Sequence, residues 1–386
     1  MKPHNPVGII LTDLHWGAVP PVRFQQELDK CLFEKIDSLK HLDFLIIGGD
    51  LFDMKEYLSS NVAKYILYFL NHLIERTEKF HTKIIIIEGT WTHDSLQLDT
   101  LSIIFHEIAK QDRIQFIHTV TDMKLCGMDV LFIPEEYVID QELYYQDYFK
   151  NHYDLIVGHG MTDVIWYMRN EKSTEMKTQT SAPVFSVEKL CTIGNYVYFG
   201  HVHEHKAYGP NKRFKYVGPV SRWEFDKEWD CGYYLLEYDL HTKVMGEEFI
   251  INDYARIFRT TAFHIKEEIG LSELSKLVES RLDSLLKEAD RIRVIVSLNP
   301  NLSNFMVIKD WFITKMALYK EVKLVLSIDE VSDTEEEKEI KEKKLQSSKQ
   351  ILEVGIPDEV RVSRFIKNNY NKNIPIEEIK ETIGIS

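Results

Sequence analysis

Eight imidazole and carboxylate side chains in the first 203 residues sit at or shortly past the ends of aliphatic runs. Asp13 and His15 follow Ile9-Ile10-Leu11, and Asp50 follows Leu45-Ile46-Ile47. His159 follows Leu155-Ile156-Val157, His201 and His203 follow Tyr196 to Phe199, and His93-Asp94 come shortly after Ile84 to Ile87. These residue types bind divalent cations. The runs have the length and composition of strands covered on both faces, and groups at the carboxyl ends of such strands converge in space. Together they are enough for two divalent ions. Asp50 is the natural bridge, because a carboxylate can give one oxygen to each ion and an imidazole cannot. Asp13, His15 and His203 would complete one site, and His159 and His201 would serve the other. Ions about 3.5–4 Å apart can hold a hydroxide between them and clamp two oxygens of a phosphate. His93, on a separate loop, is the expected catalytic histidine, protonating a leaving alkoxide or bracing its charge.

The elements that must position these groups follow from periodicity. From Val7 to about Tyr254 strands alternate with helical patterns, the signature of layered α/β architecture. Pro20-Pro21 open an amphipathic stretch to Leu42, and Leu58 to Thr77 repeats it; both read as covering helices. After Gly200 come shorter β-like runs, Phe214 to Val217, Tyr233 to Tyr238 and Val244 to Ile251, which predict a second sheet closing a sandwich. A second unit begins near Ala255, with strands over 258–265, 291–298 and 322–328 and helices over 272–286 and 303–319. The expected division is a catalytic domain over 1–254, a small β-α-β-α-β capping domain over 255–330, a charged linker over 331–346 and a helical tail over 347–386. Two short helices are too small to build a core alone, so the tail reads as a partner-docking segment.

Composition narrows the classes. With 44% hydrophobic and 12% aromatic residues the chain is globular. The four cysteines, Cys31, Cys126, Cys191 and Cys231, form no C-x-x-C pair and point to neither a zinc ribbon nor a disulfide framework. No stretch approaches a membrane span and the amino terminus lacks a signal-peptide apolar region, so a cytoplasmic location is expected. A formal charge of −14 argues against a chain that coats nucleic acid by itself. Bound divalent ions add positive charge that this sum omits.

The blocks Asp13-Leu14-His15, Gly49-Asp50, His93-Asp94, Gly158-His159 and Gly200-His201-Val202-His203, in this order, resemble the calcineurin-like metallophosphoesterase superfamily. Within it, Gly49-Asp50-Leu51-Phe52-Asp53, Phe199 to His203 and Tyr216 to Arg222 are similar to the SbcD-type branch, nuclease subunits of DNA repair and recombination, including versions in bacteriophages. The resemblance implies a metallophosphoesterase fold, two manganese ions with magnesium as the alternative, and phosphodiester hydrolysis in DNA as exonuclease or endonuclease. It also implies a homodimer and docking of the tail on an SbcC-type coiled-coil ATPase. One block departs from the pattern. The family places an Asn metal ligand between Gly and His, whereas here the loop reads Gly89-Thr90-Trp91-Thr92-His93-Asp94, two residues longer and without it. A Thr90 or Thr92 oxygen, or water, is the expected substitute. Asp53 stands where some relatives carry a histidine.

Substrate contacts are expected from Trp16 and Trp91, whose rings could stack a base, and from the basic pair Lys212 and Arg213. Packing for the tryptophans and a solvated hairpin tip for the basic pair are the bland alternatives. Two other functions fit the same residues: a metallophosphoesterase acting on an ester other than DNA, and a regulatory scaffold for the ATPase with a weakened metal site.

Overall fold

Short β-branched and aliphatic runs build the frame in the computed structural model, which describes residues 4–169, 183–225 and 229–328. The first strands are β1 (Val7–Leu11), β2 (Phe44–Gly48), β3 (Lys83–Ile87), β4 (Ile114–Ile117), β5 (Thr121–Leu125), β6 (Met128–Ile133) and β7 (Tyr153–His159). After them come β8 (Met161–Thr162), β9 (Val184–Phe185), β10 (Gly194–Gly200), β11 (Lys206–Tyr208), β12 (Phe214–Tyr216), β13 (Gly232–Asp239) and β14 (Val244–Ile251). One six-stranded sheet has the order β14-β13-β1-β2-β3-β4 and a second the order β11-β12-β10-β7-β6-β5. In the first, β1 to β4 run parallel; in the second, β6, β7, β10 and β12 do.

Successive side chains on a strand point to opposite faces, and alternation divides the core accordingly. Ile10, Phe44, Ile46, Ile85 and Ile87 pack with Val130, Phe132, Leu155, Val157 and Tyr198 between the sheets. On the outer face of the first sheet, Ile9, Leu11, Leu45 and Ile47 join one core with Phe24, Leu28, Ile66, Phe69 and Leu73. Those partners come from a helical run starting at Pro21, with a widened π turn at Asp29–Phe33, and from helix Asn61–Thr77. Pro21 suits a first helical position, where no N–H is needed. Ser60 caps the second helix by accepting from the Ala63 N–H at 3.0 Å. On the far side, Leu131, Ile133, Ile156 and Phe199 share a core with Val187 and Leu190 of helix Val187–Ile193.

The fold class is the expected α/β sandwich of two sheets flanked by helices. Its wiring corrects one expectation. The second sheet is not made by the runs after Gly200 alone: β6, β7 and β10 already belong to it, and β13 and β14 return to the first sheet. There β13 pairs antiparallel with β1, Val7 opposite Glu237, and covers an edge that β2 leaves open on the other side.

By packing, the chain divides into two units, one comprising 1–260 with 283–293, the other beginning at Thr261 and resuming at Val294. Beyond the sandwich lie β15 (Phe258–Ile265), β16 (Arg291–Leu298) and β17 (Val322–Ile328), a three-stranded sheet, with helices Leu271–Leu285 and Phe305–Met316. In the second unit Phe263 meets Phe312 with ring centroids 6.1 Å apart. The linker and tail expected over 331–386 lie outside the described residues. Among the described residues, no helix is long and apolar enough to cross a membrane.

A candidate metal centre at the converging strand ends

Asp13, Asp50, His159 and His201 all lie at or within two residues of the carboxyl ends of β1, β2, β7 and β10. The loops after β1 and β2 are zipped together: the Asp13 N–H donates to the Gly49 carbonyl at 3.1 Å and the His15 N–H to that of Asp50 at 3.0 Å. The two sheets are joined where the His159 imidazole Nδ1 reaches the Gly48 carbonyl at 2.9 Å and the His201 N–H donates to Asp13 Oδ1 at 2.8 Å. Four of the candidate ligands hold left-handed backbone, Asp13 at φ 51°, His15 at 42°, Asp50 at 51° and His201 at 87°. Non-glycine residues take up this conformation at a cost, and it concentrates where side chains must be aimed. Gly49, at φ 91°, has no such cost, and a Cβ there would run into the His159 ring.

The side chains form three groups here, each with ligand atoms within 4.8 Å of one another: Asp13, His15, Asp50 and His203; Glu135, His159 and His201; and, sharing His15 with the first, His15, Asp53 and His93. In the first, His15 Nε2 lies 3.0 Å from His203 Nε2 and 3.5 Å from Asp50 Oδ2, and His203 Nε2 lies 3.7 Å from Asp13 Oδ1. In the second, Glu135 Oε2 lies 2.9 Å from His201 Nδ1. Asp50 Oδ2 also approaches His159 Nε2 at 3.2 Å, so one carboxylate oxygen faces the first two groups. Atoms held about 2.0–2.2 Å from an ion lie roughly 3–3.5 Å from each other, and these spacings match.

The hydrogen bonding gives an independent test of fit. With Nδ1–H donating to the Gly48 carbonyl, His159 presents a bare Nε2 toward a carboxylate, and this atom is buried without a hydrogen-bond partner. Lone pair against lone pair requires a cation between them. A proton can serve: although burial disfavours charge on His159, Asp50 raises its pKa well above the ordinary value. His15 is raised too, against its burial, by Asp53 first and then Asp50 and Asp13. Burial would raise the Asp50 pKa, but His159 and His15 hold it far below the carboxylate range. Divalent ions would replace these protons. The clustered His, Asp and Glu side chains can hold metal ions.

Around them, His93 donates its Nδ1–H to the Asp53 carbonyl, and its ring stands perpendicular to that of His15 with centroids 4.8 Å apart. Asp53 Oδ1 also lies 3.4 Å from His15 Nδ1, an atom buried without a hydrogen-bond partner, so this residue holds one imidazole and faces a second. Asp94 accepts from the N–H groups of Gly89, Leu51 and Phe52 at 2.9, 3.3 and 3.1 Å, tying the β2 and β3 loops. Burial and then the charge of Asp50 push its pKa up to about 7.

One expected substrate contact is corrected. Trp16 is fully buried among Phe24, Tyr65 and Phe69, and has no open face for a base. Lys212 and Arg213 precede β12, which pairs parallel with β10 from Val197 opposite Phe214. They therefore sit level with Val197, roughly 13 Å of extended chain before His201, toward the other end of the sheet. Trp91 is 53% exposed with the Lys55 ammonium 5.8 Å from its ring. Sequence reasoning passed over Trp223, whose ring lies 4.8 Å from that of His15 and 5.1 Å from that of His203. It also passed over Glu135, although Leu131-Phe132-Ile133 before it is one more aliphatic run; Pro134-Glu135 reads as a plain turn.

No family model matches the chain, and no curated relative does. Among solved structures, TT1561 of Thermus thermophilus is similar at 12% identity with a TM-score of 0.34, over 64% of this chain and 99% of that one. Likeness at that level fixes neither fold nor activity.

Proposed function

We propose that this protein is a cytoplasmic, metal-dependent phosphodiesterase that cleaves DNA, the nuclease subunit of a repair or recombination complex. The observation that carries the reading is Asp50 Oδ2, which faces His15 at 3.5 Å and His159 at 3.2 Å and so can link two ligand sets through one carboxylate. Two bound divalent ions, manganese or magnesium, would supply a water nucleophile at neutral pH and clamp the phosphate oxygens. Asp13, His15 and His203 would hold one ion, and His159 and His201 would bind the other. The Thr90 N–H fixes Asp50 by donating to Oδ1 at 2.6 Å. With its Nδ1–H committed to the Asp53 carbonyl, His93 keeps Nε2 free to brace charge or deliver a proton to the leaving oxygen.

DNA as substrate rests on the order of the blocks and on their resemblance to SbcD-type nucleases. Exposed Trp91 beside Lys55 offers a stacking and charge contact next to the site. The net charge of −14 calls for basic surface from elsewhere; an SbcC-type ATPase docked on the tail, with two copies of this chain, would provide it. The test is degradation of linear duplex and hairpin DNA with Mn2+ or Mg2+, with and without the ATPase and ATP. Wild-type cleavage that Asp50→Asn removes supports the reading. Turnover of a generic phosphate ester with intact DNA would replace the substrate.

A further inference from the structure

The loop expected to supply a substitute ligand sends the Thr90 N–H and hydroxyl to Asp50, at 2.6 and 3.3 Å, with that hydroxyl also 3.4 Å from His201 Nδ1, while Thr92 is exposed. Into the space beside His159 and His201 comes a carboxylate that follows β6, a strand of their own sheet. Ile133 pairs with Gly158, so β6 ends level with β7, and Pro134 and Glu135 continue past it toward His159. The Glu135 side chain is 1% exposed and touches His201 Nδ1 at 2.9 Å, the Tyr137 hydroxyl at 3.3 Å and the Thr90 hydroxyl at 3.4 Å. Burying a carboxylate this deeply is costly unless a cation compensates it.

We infer that Glu135 is a ligand of the second ion. Each site then has two imidazoles and a carboxylate of its own, Asp13 with His15 and His203, and Glu135 with His159 and His201, around the shared Asp50. Three carboxylates face two divalent ions, where a neutral amide in place of Glu135 would leave two. The second site is therefore a strong one, and the scaffold reading loses the missing ligand on which it stood. This inference rests on the two-ion reading of the centre.

The test is a Mn2+ titration of the full-length chain followed by electron paramagnetic resonance, which needs no substrate. Wild type should take up two magnetically coupled ions. Glu135→Leu, of similar size but with no oxygen to offer, should keep one uncoupled ion and bind the second at least about 100-fold more weakly, more than the 10–100-fold typical of an outer hydrogen-bond partner. Coupled pairs in Glu135→Leu at unchanged affinity would overturn the inference and leave the two-ion reading standing. Failure of wild type to hold a coupled pair would overturn both. A Mn2+-soaked crystal of the wild-type chain is a check that does not depend on how the variant folds. A Glu135 oxygen about 2.2 Å from the second ion is expected, and a water in its place would refute the assignment.

Discussion

Asp50 concentrates the electrostatics of the centre, because its carboxylate is buried, takes hydrogen bonds from Thr90 and faces two imidazoles. Asp50→Asn keeps the shape and removes the charge that both ions would share. It should weaken Mn2+ binding at least about 100-fold and abolish DNA cleavage; calorimetric titration showing two ions still bound would contradict the bridge. His93 differs, since it belongs to neither ligand group around Asp50 and Glu135. His93→Ala should keep both ions while slowing cleavage by roughly 10²–10⁴-fold, and unchanged single-turnover rates would remove it from the chemistry. Away from the centre, the Glu88 carboxylate 2.8 Å from His118 raises the pKa of that imidazole above 6.5, with burial opposing and Asp99 adding to the effect. A raised histidine pKa stabilises the fold below the unfolded value of 6.5 and loses that contribution as pH rises through the folded value. In urea melts, the stability gap between wild type and His118→Asn, below about 1 kcal/mol for a pair this exposed, should therefore narrow from about pH 6 to pH 9. A gap that widens would reverse the assignment.

The elements convert strand ends into a pocket by bringing backbone from two sheets within bonding distance. Gly49 is the tightest point, with φ 91° and the His159 ring where a side chain would go. Gly49→Ala should cost about 1–3 kcal/mol from backbone strain alone, read by urea unfolding in EDTA, and should lower Mn2+ affinity because the ring must move; wild-type behaviour in both would show that the sheets meet elsewhere. Much of this level was legible in the sequence. Strands 291–298 and 322–328 have the expected bounds, and helix 61–77 fills most of the amphipathic stretch from Leu58, since periodicity and apolar runs are local signals. Sheet membership was not legible: whether β13 joins β1 or β12 depends on which edge is free, a property of the assembled fold. Glu135 was missed for the same reason. A lone Glu after a proline has no local mark of a ligand, and only the register of β6 on β7 carries it to His159. The role of Trp16 was misjudged because adjacency in sequence to His15 gives no direction, and the left-handed backbone at His15, φ 42°, lies in a loop where strand alternation does not hold.

At the scale of the whole molecule, every candidate ligand of the centre precedes residue 204 and belongs to the unit spanning 1–260 with 283–293, which has its own continuous cores on both faces of both sheets. Catalysis and partner docking should therefore be separable. Among the described residues the candidate ligand groups lie within residues 4–203, and in sequence the segment from Ser347 onward alternates apolar and charged residues as a helix that docks on something else does. Removing residues 347–386 should abolish co-purification with the ATPase, while Mn2+ uptake and Mn2+-dependent cleavage of single-stranded DNA persist. Duplex cleavage should fall at the same time, since a chain of net charge −14 would then lose the partner proposed to supply basic surface. Partner binding that survives the truncation would move the docking surface onto the sandwich or the smaller unit. Loss of Mn2+ uptake would instead make the tail part of the catalytic body.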